Sequence, residues 1–466
     1  MKFIYYLLIS VIGLGFLACS DSNSDDNGVV EGRDTYITIS VALSSSSSQK
    51  ALPDDYNGDG TYEGNDGIKT LDIYMQSADG VIEAKRFTGT DISSTGTVIA
   101  PSQPFRTTSG IKNVYIVLNN PNPLGTTITK ETELVDIAGL AQIETVNSVD
   151  YDVITMTGKA HGVYIAPDIT TQEVNNGSNR IAVVVERTAS RAIVTTTAIT
   201  DITDTSGTKL GTASNITYSI AQGANKIHWI GQTNNLSWGY DYVPELGEYI
   251  DQAGDYYDYA DLSTPTEIPT KPTAADGYKS LPGKFLFENT HVVGDRSATG
   301  YRKGNTAYVL VRAKFTPEAS AIADGGSLTN GTFYLGQSDG KIYSTKAAAQ
   351  AAVQNQKVAV YQGGKMLYYA WLNPDDISSP LNSPVVRNNI YHVNITGFKK
   401  IGHNWNPLYP EDPDTTTPEN PDPKPGNPDE PEIPIDPIDP LTPEQTYMTV
   451  EITALDWTVH SYDIEL

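Results

Sequence analysis

The chain has 466 residues, and its 31 basic and 56 acidic side chains give a formal net charge of −25. A chain that acidic repels phosphate backbones, which argues against nucleic acid as a partner. A single cysteine excludes an internal disulfide, a thiolate metal site and a two-cysteine redox motif. The 39 glycines, 28 prolines and 28 tyrosines indicate a turn-rich, all-β protein.

The amino terminus is predicted to be an export signal followed by a lipid anchor. A lysine at position 2 precedes the apolar stretch from Phe3 to Leu17, so residues 1–18 have the form of a signal peptide. The next residue is the only cysteine. The run Phe16-Leu17-Ala18-Cys19 resembles a lipobox, in which Cys19 becomes the acylated amino terminus. The alternative is a simple secretory signal followed by a chance cysteine.

Residues 34–44 alternate between apolar and polar side chains, which predicts a β-strand. Five serines follow at positions 44–48, and Gln49, Lys50 and Ala51 come next. Such a run is exposed and open to proteolysis. The predicted apolar face of the strand consists of Ile37, Ile39, Val41 and Leu43.

Oxygen-bearing side chains beyond the serine run have the spacing of a calcium-binding loop. They are Asp55, Asn57, Asp59 and Asp66. No helix pattern flanks them, and Asp66 stands where a bidentate Glu is usual. We therefore favour a solvated acidic loop, and we expect neither a metal nor a cofactor.

Short strand patterns separated by turn residues run from about residue 68 to residue 400, as in β-sandwiches. We predict two β-sandwich domains, at 51–204 and 205–406, and one helix at Ser344–Gln354. The predicted strands are Leu71–Met75, Val114–Leu118, Val153–Met156, Ile181–Val185, Ala192–Ile199, Tyr218–Ile220, Lys226–Ile230, Lys284–Phe287, Ala307–Phe315, Lys357–Tyr361, Lys365–Trp371 and Ile390–Phe398.

Residues 407–444 form a proline-rich, acidic tether. They contain 13 of the 28 prolines, and 11 acidic residues oppose the single base Lys424. This composition is typical of a semi-rigid polyproline II spacer. A passive linker between domains is the alternative, but the 22 residues after it are too few to fold alone.

Those last residues, 445–466, repeat the pattern of the first strand. Thr35-Tyr36 recurs as Thr446-Tyr447, and Thr38 as Thr449. The apolar parity is also kept, because Met448, Val450 and Ile452 stand where Ile37, Ile39 and Val41 stand. After Ala454 the parity changes, and Leu455, Trp457 and Val459 alternate instead, which suggests a bulge or a crossing at that point.

The repeat suggests strand exchange. A sandwich that loses its first strand exposes an open groove and an unpaired edge, which the tail of a neighbouring molecule could fill. Repeated head to tail, such a contact does not close, and it produces a fibre. Two alternatives remain open: the repeat arose by chance between two ordinary β-strands, or the tail fills the groove of its own chain.

Several longer runs resemble the fimbrillins of type V pili, nearest to the shaft subunits of minor fimbria. The similarity extends over the whole chain and is weakest between about 80 and 180. The runs that carry it are Val185–Arg191, Arg302–Pro317, Leu367–Pro374, Asn382–His392, Asn404–Leu408 and Leu455–Tyr462.

The resemblance implies transthyretin-like sandwiches and a palmitoylated lipoprotein precursor at the outer membrane. A trypsin-like surface protease would remove the propeptide, residues 19–50, with its first strand. The tail of one subunit would then fill the groove of the next. In the family the cut follows Arg; here the matching bond is Lys50–Ala51, and Arg33–Asp34 is a competing site. Cutting at Arg33 would leave the first strand in place.

We interpret the chain as the precursor of a structural pilus subunit. Its expected partners are identical subunits, the anchor and tip subunits, the protease, and surface ligands of the host or of other bacteria. The fibre would support adhesion, co-aggregation, biofilm formation and virulence. No catalytic motif is present, so we expect no enzyme. The alternatives are a glycan-binding surface lipoprotein that never polymerises and an accessory tip or anchor subunit.

Overall fold

A computed structural model provides the structure of the protein. It describes residues 29–43, 57–63, 65–122, 134–197, 200–221, 223–224, 226–231, 256–257, 267–272, 281–287, 307–372, 385, 387–404 and 448–458. Strands dominate these residues, and only two short α-helices occur among them, which confirms the all-β prediction. The finer prediction of transthyretin-like domains stays a prediction.

The first thirteen strands belong to the part of the chain before residue 188. They are β1 (Asp34–Leu43), β2 (Asn57–Glu63), β3 (Thr70–Ser77), β4 (Ile82–Thr88), β5 (Ile92–Thr95), β6 (Val98–Pro101), β7 (Phe105–Thr108), β8 (Gly110–Leu118), β9 (Leu134–Asp136), β10 (Ala141–Val146), β11 (Val149–Ile154), β12 (Met156–Ile165) and β13 (Arg180–Arg187).

The later strands follow from residue 189 onward. They are β14 (Ala189–Thr196), β15 (Asp201–Thr203), β16 (Lys209–Ala221), β17 (Gly223–Ala224), β18 (Lys226–His228), β19 (Tyr256–Tyr257), β20 (Lys284–Phe287), β21 (Tyr308–Pro317), β22 (Phe333–Gly336), β23 (Ile342–Tyr343), β24 (Val358–Tyr361), β25 (Lys365–Trp371), β26 (Asn389–Phe398) and β27 (Met448–Thr458).

The two helices begin at capping residues. Helix α1 (Thr171–Asn175) has a capping box in which Thr170 and Glu173 bond reciprocally. Helix α2 (Lys346–Ala352) starts at Thr345, whose hydroxyl accepts the Ala348 N–H at 3.1 Å. Helix α2 confirms the helix predicted within Ser344–Gln354.

The amino-terminal lobe is built on one sheet of nine described strands. Their order is β4-β3-β8-β12-β13-β1-β6-β5, and β7 pairs with the first half of β1. Apolar side chains from the whole width of the sheet meet in one core, so the sheet curves around its own buried face. Side chains of alternating strand positions supply this core, as period-two patterning requires.

The carboxy-terminal lobe is a sandwich of two sheets. One has the order β2-β27-β26-β14-β20 and the other β15-β16-β21-β25 among the described residues. Their facing side chains, including Val194, Val309, Tyr368 and Val393, form a single buried core. The chain changes sheets between Arg187 and Ala189, and the domain boundary expected near residue 205 stays a prediction.

A third buried cluster joins the two lobes. It unites Tyr74, Val117 and Ile154 of the amino-terminal lobe with Ile193 and Trp229 of the later chain. The short pairing of β9 with β18 also links early and late parts of the chain. The lobes therefore share a packed, apolar junction.

Buried ion pairs lie in the same junction. Arg187, at the end of β13, donates from Nε to Asp66 Oδ1 at 2.9 Å and from a terminal nitrogen to Asn388 Oδ1 at 2.9 Å. Arg191, on β14, binds both carboxylate oxygens of Asp152 at 2.8 and 2.9 Å. These side chains are almost fully buried, so each charge depends on its partner for solvation.

Candidate functional site

The first strand, β1, lies inside the nine-stranded sheet and not at its edge. It pairs in parallel with β13 from Thr38 to Leu43, and antiparallel with β6 and β7 on its other side. Removing β1 would therefore unpair strands on both sides at once and leave a groove that can accept one strand.

The side chains predicted to form the apolar face of β1 are buried. Ile37, Ile39 and Val41 have no exposed surface, and Leu43 packs at the margin of the same core. Each of the three fully buried side chains contributes about 1.5–3 kcal/mol of hydrophobic stabilisation. The groove is therefore apolar along its floor.

A buried threonine at the start of β1 forms a hydrogen-bond centre that the apolar pattern does not indicate. The Thr35 hydroxyl donates to the Ala166 carbonyl at 2.8 Å and accepts the Ile169 N–H at 3.1 Å and an Asn179 amide N–H at 3.1 Å. The same Asn179 amide also bonds the Tyr36 and Ala166 carbonyls. The available sequence signal was the recurrence of Thr35-Tyr36 as Thr446-Tyr447.

The competing cleavage site before β1 is tied into the sheet. The Arg33 carbonyl accepts the Ser109 N–H at 2.8 Å, and the Arg33 N–H donates to the Ser109 hydroxyl at 3.1 Å. The side chains on either side of the bond are engaged as well: Arg33 pairs with Asp168, and Asp34 with Arg106. A protease needs an extended, unpaired backbone, which this segment does not offer.

The carboxy-terminal strand, β27, lies in the carboxy-terminal lobe of its own chain. It pairs antiparallel with β26 from Met448–Phe398 to Asp456–Asn389, and in parallel with β2 on its other side. The Met448 side chain is buried in the core of that lobe. The groove of the amino-terminal lobe is meanwhile filled by β1.

The change of alternation in the tail coincides with an irregular pairing. On the β2 side, Asn57 pairs with Ala454 and Thr61 with Asp456, so the register shifts opposite Ala454–Asp456. Val450, Ile452 and Trp457 have backbone positions within β27. The predicted site residues Cys19, Lys50, Ala51, Tyr447 and Val459 lie outside the described residues.

The residues that have the spacing of a calcium-binding loop lie in different environments. Asp66 is buried and pairs with Arg187, while Asn57 and Asp59 belong to β2, and Asp55 lies outside the described residues. Within the described ranges, no three His, Cys, Asp or Glu side chains are grouped as metal ligands. Over the same ranges, no helix is long and apolar enough to cross a membrane.

Comparison with known proteins points to one family. The model of the fimbrillin carboxy-terminal region (major fimbrial subunit protein type IV) matches residues 359–463. Two sequences of the minor fimbrium subunit Mfa1 of Porphyromonas gingivalis are each 31% identical over 504 residues, covering 99% of this chain and 99% of the relative. The solved structure of a fimbrilin (fimA) from Porphyromonas gingivalis has a TM-score of 0.45 at 14% identity, covering 91% of this chain and 98% of that one.

Proposed function

The chain belongs to the fimbrillin family, and from that premise we propose that it is the precursor of a fimbrial shaft subunit that polymerises by protease-triggered strand exchange. Its relatives are fimbrial subunits and not enzymes, in agreement with the expectation from sequence. The single observation that carries the proposal is the position of β1, an apolar strand held between two neighbours near the amino terminus.

Maturation begins with export and acylation of Cys19, and the acyl chains anchor the precursor at the outer membrane. Cleavage after Lys50 then separates residues 19–50, which include β1, from the rest of the subunit. Lys50 is favoured over Arg33 because the backbone and side chain of Arg33 are bonded to Ser109 and Asp168. Cleavage after Arg33 would also leave β1 attached.

The vacated groove then receives the tail of a second subunit. Burial of Met448, Val450 and Ile452 in place of the three core residues of β1 contributes roughly 5–9 kcal/mol in total. The net driving force is smaller, because Met448 is already buried in its own subunit before exchange. A tail that repeats the register of β1 would run parallel to β13, with Thr446 in the position of Thr35 and Tyr447 and Trp457 as anchors.

Head-to-tail repetition of this contact builds the shaft of a surface fimbrium. Each subunit offers one groove and one tail, so the chain of contacts does not close. Anchor and tip subunits terminate the fibre, and its surface supports adhesion, co-aggregation and biofilm formation. The alternatives are a lipid-anchored protein that does not exchange strands and a tip or anchor subunit. The following experiment distinguishes them from a shaft subunit.

The decisive experiment is amino-terminal sequencing of the surface form together with gel electrophoresis with and without boiling. We expect a terminus at Ala51 and a heat-sensitive ladder, because exchanged strands survive detergent until they are heated. A chain truncated after Glu444 has the groove without the tail and should give no ladder. An acylated Cys19 terminus with only monomer would contradict the proposal.

Matched variants test the cleavage site. We expect Lys50→Gln to abolish both the Ala51 terminus and the ladder, whereas Arg33→Gln leaves both unchanged. Each substitution removes one positive charge upstream of the mature chain. A general effect of charge would therefore change the terminus and the ladder equally in both variants. Loss of the ladder in Arg33→Gln but not in Lys50→Gln would indicate cleavage after Arg33 and contradict cleavage after Lys50.

A further inference from the structure

Three cationic side chains lie together on the outward face of the four-stranded sheet. Lys314 on β21 stands directly opposite Lys365 on β25, and Arg312 lies one outward position further along β21. The alternate residues of both strands, including Ala313 and Met366, point into the core. We call Arg312, Lys314 and Lys365 the cationic cluster.

The members of the cluster repel one another. Like charges directly opposite across a sheet destabilise it. Burial and the charge of Arg312 lower the pKa of Lys365 to about 8, and burial lowers the pKa of Arg312 as well. In the described part of the chain, no carboxylate pairs with Arg312 or Lys314. An anionic group placed here would relieve the repulsion.

The neighbouring strand places hydroxyl side chains beside the cluster. Across from Arg312 and Lys314 on β16 stand the uncharged residues Thr217 and Ser214. Thr217 is 3% exposed, and its hydroxyl has no hydrogen-bond partner among the described residues. A buried hydroxyl without a partner opposite Arg312 is suited to donate to a carboxylate that also binds the arginine.

The course of the chain identifies the source of the carboxylates. His403 and Leu367 exchange backbone hydrogen bonds of 2.7 and 2.9 Å in antiparallel pairing, so the chain runs past β25 toward its Lys365 end. The described segment ends at Asn404, and Glu411, Asp412 and Asp414 follow within ten residues. Ten residues can reach about 30 Å when extended, which spans the cluster easily.

We propose that the cationic cluster binds the acidic residues Glu411, Asp412 and Asp414 at the start of the proline-rich tether of the same chain. The tether carries 11 acidic residues and one basic residue. The cationic cluster supplies the opposite charge near the start of the tether. Binding holds the start of the tether against the carboxy-terminal lobe. Because the contact is electrostatic and partly exposed, salt weakens it. The proposal does not depend on strand exchange.

Carbodiimide cross-linking of the full-length, unprocessed precursor tests this directly, because the reagent joins a lysine to a carboxylate in contact with it. Peptide mass spectrometry should find Lys314 or Lys365 linked to residues 411–414, at yields above those of the exposed lysine Lys341. High salt should reduce the yield. Yields no higher than at Lys341 would overturn the proposal.

Two variants and a mixing experiment sharpen the outcome. The triple substitution Glu411→Gln, Asp412→Asn and Asp414→Asn should reduce the cross-links to the level of Lys341. The matched substitution of Asp429, Glu430 and Glu432 removes the same charge further along the tether and should leave them unchanged. In a mixture of isotopically light and heavy chains, links between the two labels would assign the acids to a neighbouring copy and contradict binding within one chain.

Discussion

At the residue scale, Thr35 contributes to β1 through partners that are remote in sequence. Its hydroxyl bonds the backbone at Ala166 and Ile169 and the side chain of Asn179. Sequence alternation correctly identified Ile37, Ile39 and Val41 as buried, because parity depends only on neighbouring residues. No local pattern gives Thr35 its partners, since these lie more than 130 residues away.

Replacing Thr35 with valine should destabilise the precursor. Valine keeps the shape of the side chain but leaves the Ile169 N–H and the Ala166 carbonyl without this partner, which lowers the free energy of unfolding by about 1–3 kcal/mol. Urea titration of the unprocessed chain measures the change. Thr38→Val, on the same strand but outside this network, is the control and should stay within about 0.5 kcal/mol of wild type. Equal effects of the two substitutions would show that the network contributes nothing.

Replacing Arg187 with methionine should cost more. Asp66 would lose its ion-pair partner in a site with no exposed side-chain surface, so we expect a loss of about 3–5 kcal/mol in urea titration. Adding Asp66→Asn should restore part of the loss, because the unpaired buried carboxyl group is replaced by a neutral amide. The exposed pair of Arg106 with Asp34 is the matched control, and Arg106→Met should have only a small effect because solvent screens this pair. A loss for Arg187→Met as small as this control would contradict the argument.

At the element scale, the sequence predicts where strands occur better than it predicts which strands pair in a sheet. Lys284–Phe287 and Lys365–Trp371 were expected as strands and are confirmed with the same bounds. The pairing of β27 with β26 could not be predicted, because an alternating strand fits any edge with a complementary apolar face. The parallel pairing of β1 with β13 could not be predicted either, since about 140 residues separate the two strands.

Truncation after Glu444 should loosen β26 specifically. Loss of β27 removes a ladder of backbone hydrogen bonds along Asn389–Phe398 and the buried Met448 side chain. Hydrogen exchange of unprocessed chains should therefore accelerate more in β26, which loses its neighbour directly, than in β1 and β13. A chain truncated after Thr458 retains the described strand and serves as the control. Unchanged exchange in β26 would mean that the tail does not hold this edge in solution.

At the scale of the whole molecule, the connection between the two lobes is very short. The change of sheet falls at Thr188, between two strands joined by a single residue, and the domain boundary near residue 205 stays a prediction from the spacing of strand patterns. A connection of one residue contains no turn or linker pattern that could be recognised in the sequence. The addition of β2 to the edge of the carboxy-terminal sheet could not be predicted from sequence, for the same reason as the pairing of β27.

This junction predicts that both lobes unfold together. All five tryptophans lie at or after residue 229, so their fluorescence reports the later part of the chain and, through Trp229, the junction. Hydrogen exchange of β3 and β8 reports the amino-terminal lobe. Because a shared apolar cluster and buried ion pairs connect the lobes, we expect the two probes to give coincident urea midpoints.

A substitution in one lobe separates coupled from independent unfolding. Ile116→Ala creates a cavity in the amino-terminal core, whose cluster of described residues contains no tryptophan, at a cost of about 2–5 kcal/mol. Coupled lobes require the tryptophan midpoint to fall together with that of β3 and β8. Val393→Ala, in the carboxy-terminal core, is the reciprocal variant and should shift the exchange of β3 equally. A tryptophan transition that stays at its wild-type midpoint in Ile116→Ala would mean that the junction transmits no stability, and that the buried pairs of Arg187 and Arg191 orient the lobes without coupling their folding.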